Sequence, residues 1–298
     1  MLALGMGGHV LLNGSPLKVI CYKSALKVLV GSVGLGRGSN FPIWQARRNK
    51  FCSLGLKAQE ERGVAETLNS VQAAQLELYM DLLLDWNKRM NLTAVKDRDA
   101  VMERHIRDSL SLIPVVEGSN SKRVQQPNKD HLKLLDVGSG AGLPGLIFAI
   151  ARPAWQVTLL ESLKKRCDFL DYVVQTIGLS NVEVIRARAE EKGHDTSFRE
   201  AYDLAVARAV AEMRVLAELC LPFVSIGGLF IAAKGTNVKE EVEAAKKAMN
   251  LLGACNVSIC PVDSEGPFGS RTAVVCVKER ATPAKYPRLA GVPCKNPL

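Results

Sequence analysis

The chain has 298 residues, 47% hydrophobic and 23% charged, a globular composition long enough for one large domain with additions or for two domains. It excludes collagen-like, mucin-like and low-complexity chains. It also argues against a spanning helix: the most apolar stretch, Val19 to Leu35, is broken by Lys23 and Lys27, where a span needs about 18 uncharged residues. The net charge of +9 sits at the ends: residues 1–59 hold eight basic residues and no acid, while residues 60–298 carry 31 basic and 30 acidic side chains. The last 21 residues are basic again, five against one.

Residues 1–55 are rich in Gly, Ser, Lys and Arg and show no sustained period, the profile of an organelle transit peptide; a basic arm that touches RNA is the alternative. The eight cysteines form no Cys-x-x-Cys pair, so no zinc site is expected, and those in apolar runs read as reduced core residues of a reducing compartment. A first helix begins near Asn69–Ser70, with Val71, Leu78, Leu82 and Trp86 at helical spacing and Leu76, Leu83 and Leu84 widening the stripe. Asp97 or Asp99 caps a second, whose Val101, Ile106, Leu110 and Ile113 face inward and which Pro114 ends. Residues 117–131 read as an exposed polar loop. This places a helical unit and loop over 60–130.

From Leu132 apolar runs alternate with amphipathic stretches. LKLLDVG, WQVTLLE, VEVIRA, YDLAVARA, GGLFIAAKG, NVSICPV and RTAVVCVKE read as seven strands. Leu143–Ala151, Ser162–Ile177 and Val238–Leu252 read as helices between them. The second of these has Leu163, Cys167, Leu170 and Val174 inward and stops at Gly178. Such alternation predicts an α/β domain over 131–279, a mostly parallel sheet covered on both faces. The last two strands have no helix between them and predict an antiparallel hairpin. The tail 280–298, basic and Pro-rich, reads as helix-incompatible, either a disordered end or an arm tracking phosphates.

The strongest motif is LDVGSGAGLPG, Leu135 to Gly145, where the first strand turns into the first helix; in an open α/β sheet that crevice binds ligands. Twenty-one residues past Gly140, Glu161 ends the second strand, placed to accept both hydroxyls of a ribose. Gly140-x-Gly142-x-x-Gly145 formally matches a dinucleotide fingerprint, but Asp136 before the glycines and Pro144 at the helix start favour S-adenosylmethionine, whose ammonium suits an acid. A nicotinamide-dependent oxidoreductase stays open as the alternative, as does a non-catalytic ribosome-assembly factor. Beyond the third strand, Ala189 leaves room for an adenine ring, and Glu190 either reaches its amino edge or merely suits a helix start. Arg208, an arginine ending an apolar strand, calls for an anion: the donor's carboxylate, an RNA phosphate or a salt bridge. WNK, NLT and RHIRDS on the helical unit read as caps and a solvated face.

LLDWNKRMNLTAV, RHIRDSL, LLDVGSGAGLPG, LLESLKKR, RARAEE, VARAV, AAKG and the tail TPAKYPRLAGVPCKNPL together resemble the bacterial small-subunit (16S) ribosomal RNA guanine-N7 methyltransferases, the family once named glucose-inhibited division protein B. The resemblance runs from about residue 70 to 298. It implies a class I S-adenosylmethionine-dependent methyltransferase fold, Rossmann-like, with a seven-stranded sheet preceded by a small helical unit. Gly138, Leu143, Ala189, Glu190 and Arg208 match donor-binding positions, and Glu161, Ser162 and Leu163 match the segment at the ribose; Gly140 joins them through the motif. Arg208 is also the one candidate for a catalytic role in an otherwise positioning mechanism. The expected partner is small-subunit rRNA or the ribosomal subunit, with Arg104, Arg107, Lys285, Arg288 and Lys295 as phosphate contacts. No metal and no membrane are expected, and the chain is expected to be a monomer. A basic presequence on a bacterial-type enzyme points to the chloroplast stroma, with the mitochondrion as alternative.

Overall fold

The structure is a computed structural model that describes residues 68–119, 121, 131–208, 211–236, 238–266 and 269–298. The expected presequence and most of the polar loop at 117–131 lie outside the described residues. Seven strands form one sheet: β1 (Lys133–Val137), β2 (Gln156–Glu161), β3 (Val182–Arg186), β4 (Tyr202–Ala207), β5 (Val224–Lys234), β6 (Ala254–Gly266) and β7 (Gly269–Lys278). Their order is β3-β2-β1-β4-β5-β7-β6. β1 to β5 pair in parallel, and β7 runs antiparallel to both β5 and β6. The parallel sheet and its closing hairpin are the ones the sequence predicts.

The inner strands β1, β2 and β4 are buried on both faces because both faces are covered, while the edge strands β3 and β6 are partly exposed. Leu134, Leu159, Leu204 and Ile231 pack with α1 (Ser70–Asn87), α5 (Gly145–Ala151) and α6 (Lys164–Ile177). Their neighbours Leu135, Leu160, Ala205 and Phe230 pack with α8 (Met213–Cys220) and α9 (Lys239–Leu251). The N-terminal helices are therefore one cover of the sheet. The strand order reverses between the paired β1 and β4, and at such a switch point an open sheet binds its ligand, at the carboxyl ends of the strands.

The face of α1 differs from the expected one. Val71 and Leu78 are exposed, and the buried side chains are Gln72, Leu76, Tyr79, Met80 and Leu83. The reason is polar. Asn69 caps the helix in a capping box with Gln72, accepting from the Val71 and Gln72 N–H groups at 3.0 and 2.9 Å. The Gln72 amide then donates to the Ile150 and Ala151 carbonyls at 2.9 and 3.2 Å, orphans at the end of α5. A polar residue is thus the inward one at the helix start, and apolarity alone misplaces the stripe.

Asp97 caps α2 (Arg98–Val101), which widens into a π-helical turn over Met102–Arg107 before α3 (Asp108–Leu110). Pro114 does not end the helical run. It sits in the first turn of α4 (Ile113–Glu117), where a missing N–H leaves no bond unmade. Leu163 is not inside α6 either; it precedes the helix, 54% exposed, as the chain turns out of β2.

Gly145 shows what one glycine of the motif is for. A Cβ there would lie 2.5 Å from the Leu159 side chain and 2.7 Å from an Asp136 carboxylate oxygen. It allows α5 to pack directly on the sheet. Gly145→Ala is expected to lower stability by about 1–3 kcal/mol through overpacking, read as a lower denaturant midpoint at unchanged slope.

The tail is docked, contrary to the reading of a disordered end. Thr282 and Tyr286 are buried, and Pro293 lies in the first turn of a short helix, α10 (Val292–Lys295). Arg199 donates to the carbonyls of Thr282, Pro283 and Tyr286 at 2.7–3.2 Å. Glu200 accepts from the Thr282 N–H and from the fully buried Lys278 ammonium, both at 2.8 Å. Basic, Pro-rich composition signals disorder only when no partner waits, and here the carboxylates and carbonyls of the domain are the partners.

Candidate active site

The motif turns between β1 and α5 with Gly138, Gly140 and Gly142 at φ of +73°, +59° and +87°. Non-glycine residues rarely adopt that region. A Cβ on Gly138 would meet nothing within 4 Å, and one on Gly140 would meet its nearest atom at 3.8 Å. These two positions therefore face open space, whereas a Cβ on Gly142 would strike Leu146 at 2.3 Å. Two of the three glycines line a cradle that a side chain would fill, and the third serves packing. The loop is pinned beneath: Gly138 and Ser139 donate to the Leu160 carbonyl, and the buried Tyr79 hydroxyl donates to the Ala141 carbonyl at 2.8 Å. Leu143 lies in the core, its N–H bonded to Ser139, so its side chain supports the turn from below.

Glu161 closes β2 and is 3% exposed. One oxygen accepts the Gly140 N–H at 3.0 Å and the other the Leu163 N–H at 2.9 Å. The carboxylate thus holds both walls of the crevice, and its remaining lone pairs can accept two hydroxyls. Ser162 and Leu163 are exposed at the rim beside it.

Asp136, the acid set against an ammonium by sequence reasoning, is instead sealed below the loop. One oxygen accepts the Gly145 N–H at 3.0 Å and the other has no hydrogen bond. Burial raises its carboxyl to about 7. Its visible work is to tie β1 to the start of α5.

Ala189 and Glu190 open α7 (Ala189–Lys192) past the end of β3. Ala189 is partly buried; Glu190 is buried and accepts from Arg188 at 2.9 Å and from the Gly291 N–H of the tail at 3.0 Å. Burial raises the Glu190 pKa, but these bonds outweigh it and hold the carboxyl below its ordinary range. Both an adenine-edge contact and a helix-start acid were open readings; the tail amide was a third, unforeseen partner.

Arg208 follows β4 at the same end of the sheet. Its guanidinium lies 3.4 Å from each of Asp108 Oδ2, the Arg104 carbonyl and His105 Nδ1, long for charge-assisted bonds. Asp108 is shared with Arg271, 3.3 Å away, and accepts from Ser264 at 3.2 Å. Arg208 and Arg271 therefore meet around one buried carboxylate, with His105 against Arg208. The RHIRDS segment forms that junction and is not simply a solvated face. Its neighbour motif shapes the approach: Asn87 accepts the Leu92 and Thr93 N–H groups, and the Thr93 hydroxyl meets His105 Nε2 at 2.7 Å. The Arg104 carbonyl, 2.9 Å from His105 Nδ1, can only accept, so that ring nitrogen carries a proton. Sequence reasoning missed Tyr79, Asp108 and Arg271; RHIRDS was a signal for Asp108 alone.

Burial, then the Arg208 charge, pushes the His105 pKa down from 6.5 to about 4. Below pH 6.5 the unfolded chain binds a proton that the folded one refuses, so this group's contribution to stability is lost as pH falls from about 6.5 towards 4. His105→Gln is expected to melt with a weaker acid sensitivity across that window than the parent, measured by thermal unfolding between pH 4 and 7.

The proposed phosphate contacts fall into two groups. Arg104 and Arg107 are exposed on the helical cover, Arg107 paired with Glu103; Lys285 and Lys295 are exposed on the tail. Arg288 is otherwise engaged: its guanidinium and N–H make three bonds of 2.6–2.8 Å to the fully buried Glu218. It is a structural clamp, since a buried carboxylate demands a paired cation. Among the described residues no helix is long and apolar enough to cross a membrane, and no group of three metal-ligating side chains converges.

The family model described as GidB, rRNA small subunit methyltransferase G, matches residues 72–266. The ribosomal RNA small subunit methyltransferase G of Acetivibrio thermocellus is 44% identical over 238 residues, 79% of this chain and 93% of that one. Its namesake from Symbiobacterium thermophilum is 42% identical over 253 residues, 83% and 95% of the two chains. Among solved structures, M. jannaschii TYW2 in complex with AdoMet aligns with 51% of this chain and 70% of that one at 15% identity and a TM-score of 0.40. On the span of the family match and the identity to its relatives, the chain belongs to the GidB family of small-subunit rRNA methyltransferases G.

Proposed function

We propose that the chain transfers a methyl group from S-adenosylmethionine to N7 of a guanine in small-subunit rRNA. The observation that carries this reading is Glu161: a buried carboxylate bonded at once to Gly140 and Leu163, facing a loop whose Gly138 and Gly140 leave a cradle open. A ribose fits there by its hydroxyls, with Leu163 and Ala189 as apolar walls for adenine. An acid in this place would accept the ribose hydroxyls of a dinucleotide as well; the match to the small-subunit rRNA methyltransferase G family is what favours the methyl donor over the dinucleotide alternative.

S-adenosylmethionine, when bound, supplies an electrophilic methyl on a sulfonium. Guanine N7 is neutral and has an in-plane lone pair with no proton to lose. The residues around the crevice agree with a reaction that needs no base: Asp136 is sealed beneath the loop and His105 is committed to Thr93 and Arg104. The chain's contribution is then alignment, with the reacting atoms held about 3–3.5 Å apart. Arg208 and Arg271, sharing one carboxylate, leave the β4–β7 side of the crevice positive, suited to an anion. The target base must leave its stack to enter, and the exposed Arg104, Arg107, Lys285 and Lys295 supply charge for the flanking phosphates.

The test is transfer of labelled methyl from S-adenosylmethionine to small-subunit rRNA by the purified chain, followed by borohydride and aniline cleavage, which cuts at N7-methylguanine. One labelled cleavage site is expected; label without such cleavage would move the chemistry to another atom. The acid-free basic composition of residues 1–59 supports an organelle address, and the bacterial-type body favours the chloroplast over the mitochondrion, a choice that a fluorescent fusion of residues 1–59 tests.

A further inference from the structure

The tail 280–298 is tied to the donor crevice. Arg288 is locked on the fully buried Glu218 of α8, the Pro287 carbonyl accepts from His194 Nε2 at 2.7 Å, and a Cβ on Gly193 would meet the Pro287 ring at 2.7 Å. This anchoring delivers Gly291, at φ +81°, so that its N–H reaches Glu190 Oε1 at 3.0 Å. Glu190 stands beside Ala189, where the adenine of the donor would rest. From these contacts we infer that the C-terminal segment from Gly291 onward is a positioning element for the methyl donor, its main-chain N–H orienting the Glu190 carboxylate at the adenine edge.

The inference rests on the S-adenosylmethionine reading of the crevice and gives the tail a role in donor affinity, distinct from the phosphate-tracking arm expected from its charge. A peptide N–H aimed at a carboxylate from another part of the chain fixes that side chain more tightly than Arg188 alone, two residues away on a long exposed side chain. Gly291 is a positioning residue, because it acts through Glu190.

The experiment compares four forms of the chain: the parent, a truncation lacking residues 291–298, Glu190→Ala, and the two combined. The truncation leaves the Arg288–Glu218 clamp intact, and thermal melting reports whether each form is folded. Calorimetric titration with S-adenosylmethionine is expected to show roughly five-fold weaker binding after truncation, the scale of one ordinary hydrogen bond, since the lost contact acts through Glu190. In the Glu190→Ala background, where the acceptor is gone, the truncation is expected to add nothing, a non-additivity that general loosening of the fold would not produce. KM for rRNA is expected to stay unchanged. Donor affinity unaltered by truncation, or equal losses in both backgrounds, would overturn the inference, as would a raised KM for rRNA with unaltered donor binding, which would restore the tail as an RNA arm. If the parent itself does not bind S-adenosylmethionine, the reading of the crevice fails first.

Discussion

Replacing Glu161 by Gln is expected to weaken S-adenosylmethionine binding by about 100-fold while leaving the fold in place. The carboxylate lies where two ribose hydroxyls would donate to it, and hydrogen bonds to an ionised acceptor contribute roughly 1.5–3 kcal/mol each. The amide keeps one acceptor oxygen for Gly140 or Leu163 and cannot serve all the donors that face it. The loop has other ties, to Leu160 through Gly138 and Ser139 and to Tyr79 through Ala141, so the loss in stability should be about 1 kcal/mol. Isothermal titration and thermal unfolding of the same samples separate the two effects. A donor affinity within about three-fold of the parent would show that Glu161 is only a brace between loop and strand.

The second large effect is on stability and lies far from the chemistry. Arg288→Ala leaves Glu218, fully buried at the end of three bonds, without its cation. Removing one partner of a buried pair costs about 3–5 kcal/mol, because the remaining charge is stranded. For a domain of this size that is a fall in Tm of roughly 10 °C. Replacing both residues by apolar ones of similar volume, Arg288→Met with Glu218→Leu, is expected to recover most of the loss. If Arg288→Ala melts like the parent but binds rRNA more weakly, the guanidinium serves phosphate rather than Glu218.

The two sites differ in how well the sequence shows them. The sheet was legible because its inner strands bury both faces: Leu134 and Leu135 on β1, or Leu159 and Leu160 on β2, are consecutive apolar residues that no amphipathic helix or half-exposed strand would need. The crevice was legible because its glycines and Glu161 are local to two strand ends. What was illegible depends on partners distant in the chain. Gln72 is inward because α5 ends beside it, 78 residues on, and Tyr79 because Ala141 lies above it. Arg288 reads as a surface cation until Glu218, 70 residues earlier, is brought beneath it. Polar residues that turn inward obey hydrogen-bond demand, which a hydrophobic period does not register. Arg208 lies between these cases: its place at a strand end announced an anion, but the sequence could not show that Asp108 reaches it from the helical cover at 3.4 Å while also meeting Arg271.

The account stands most directly on the identity of the molecule that fills the crevice between the Gly138–Gly142 turn and Glu161. Equilibrium titration of the purified chain with S-adenosylmethionine and, separately, with nicotinamide dinucleotides decides it. Saturable, one-to-one binding of S-adenosylmethionine that Glu161→Gln weakens about 100-fold is expected, with no heat from the dinucleotides. Saturable binding of a nicotinamide dinucleotide, or S-adenosylmethionine binding indifferent to Glu161, would contradict it.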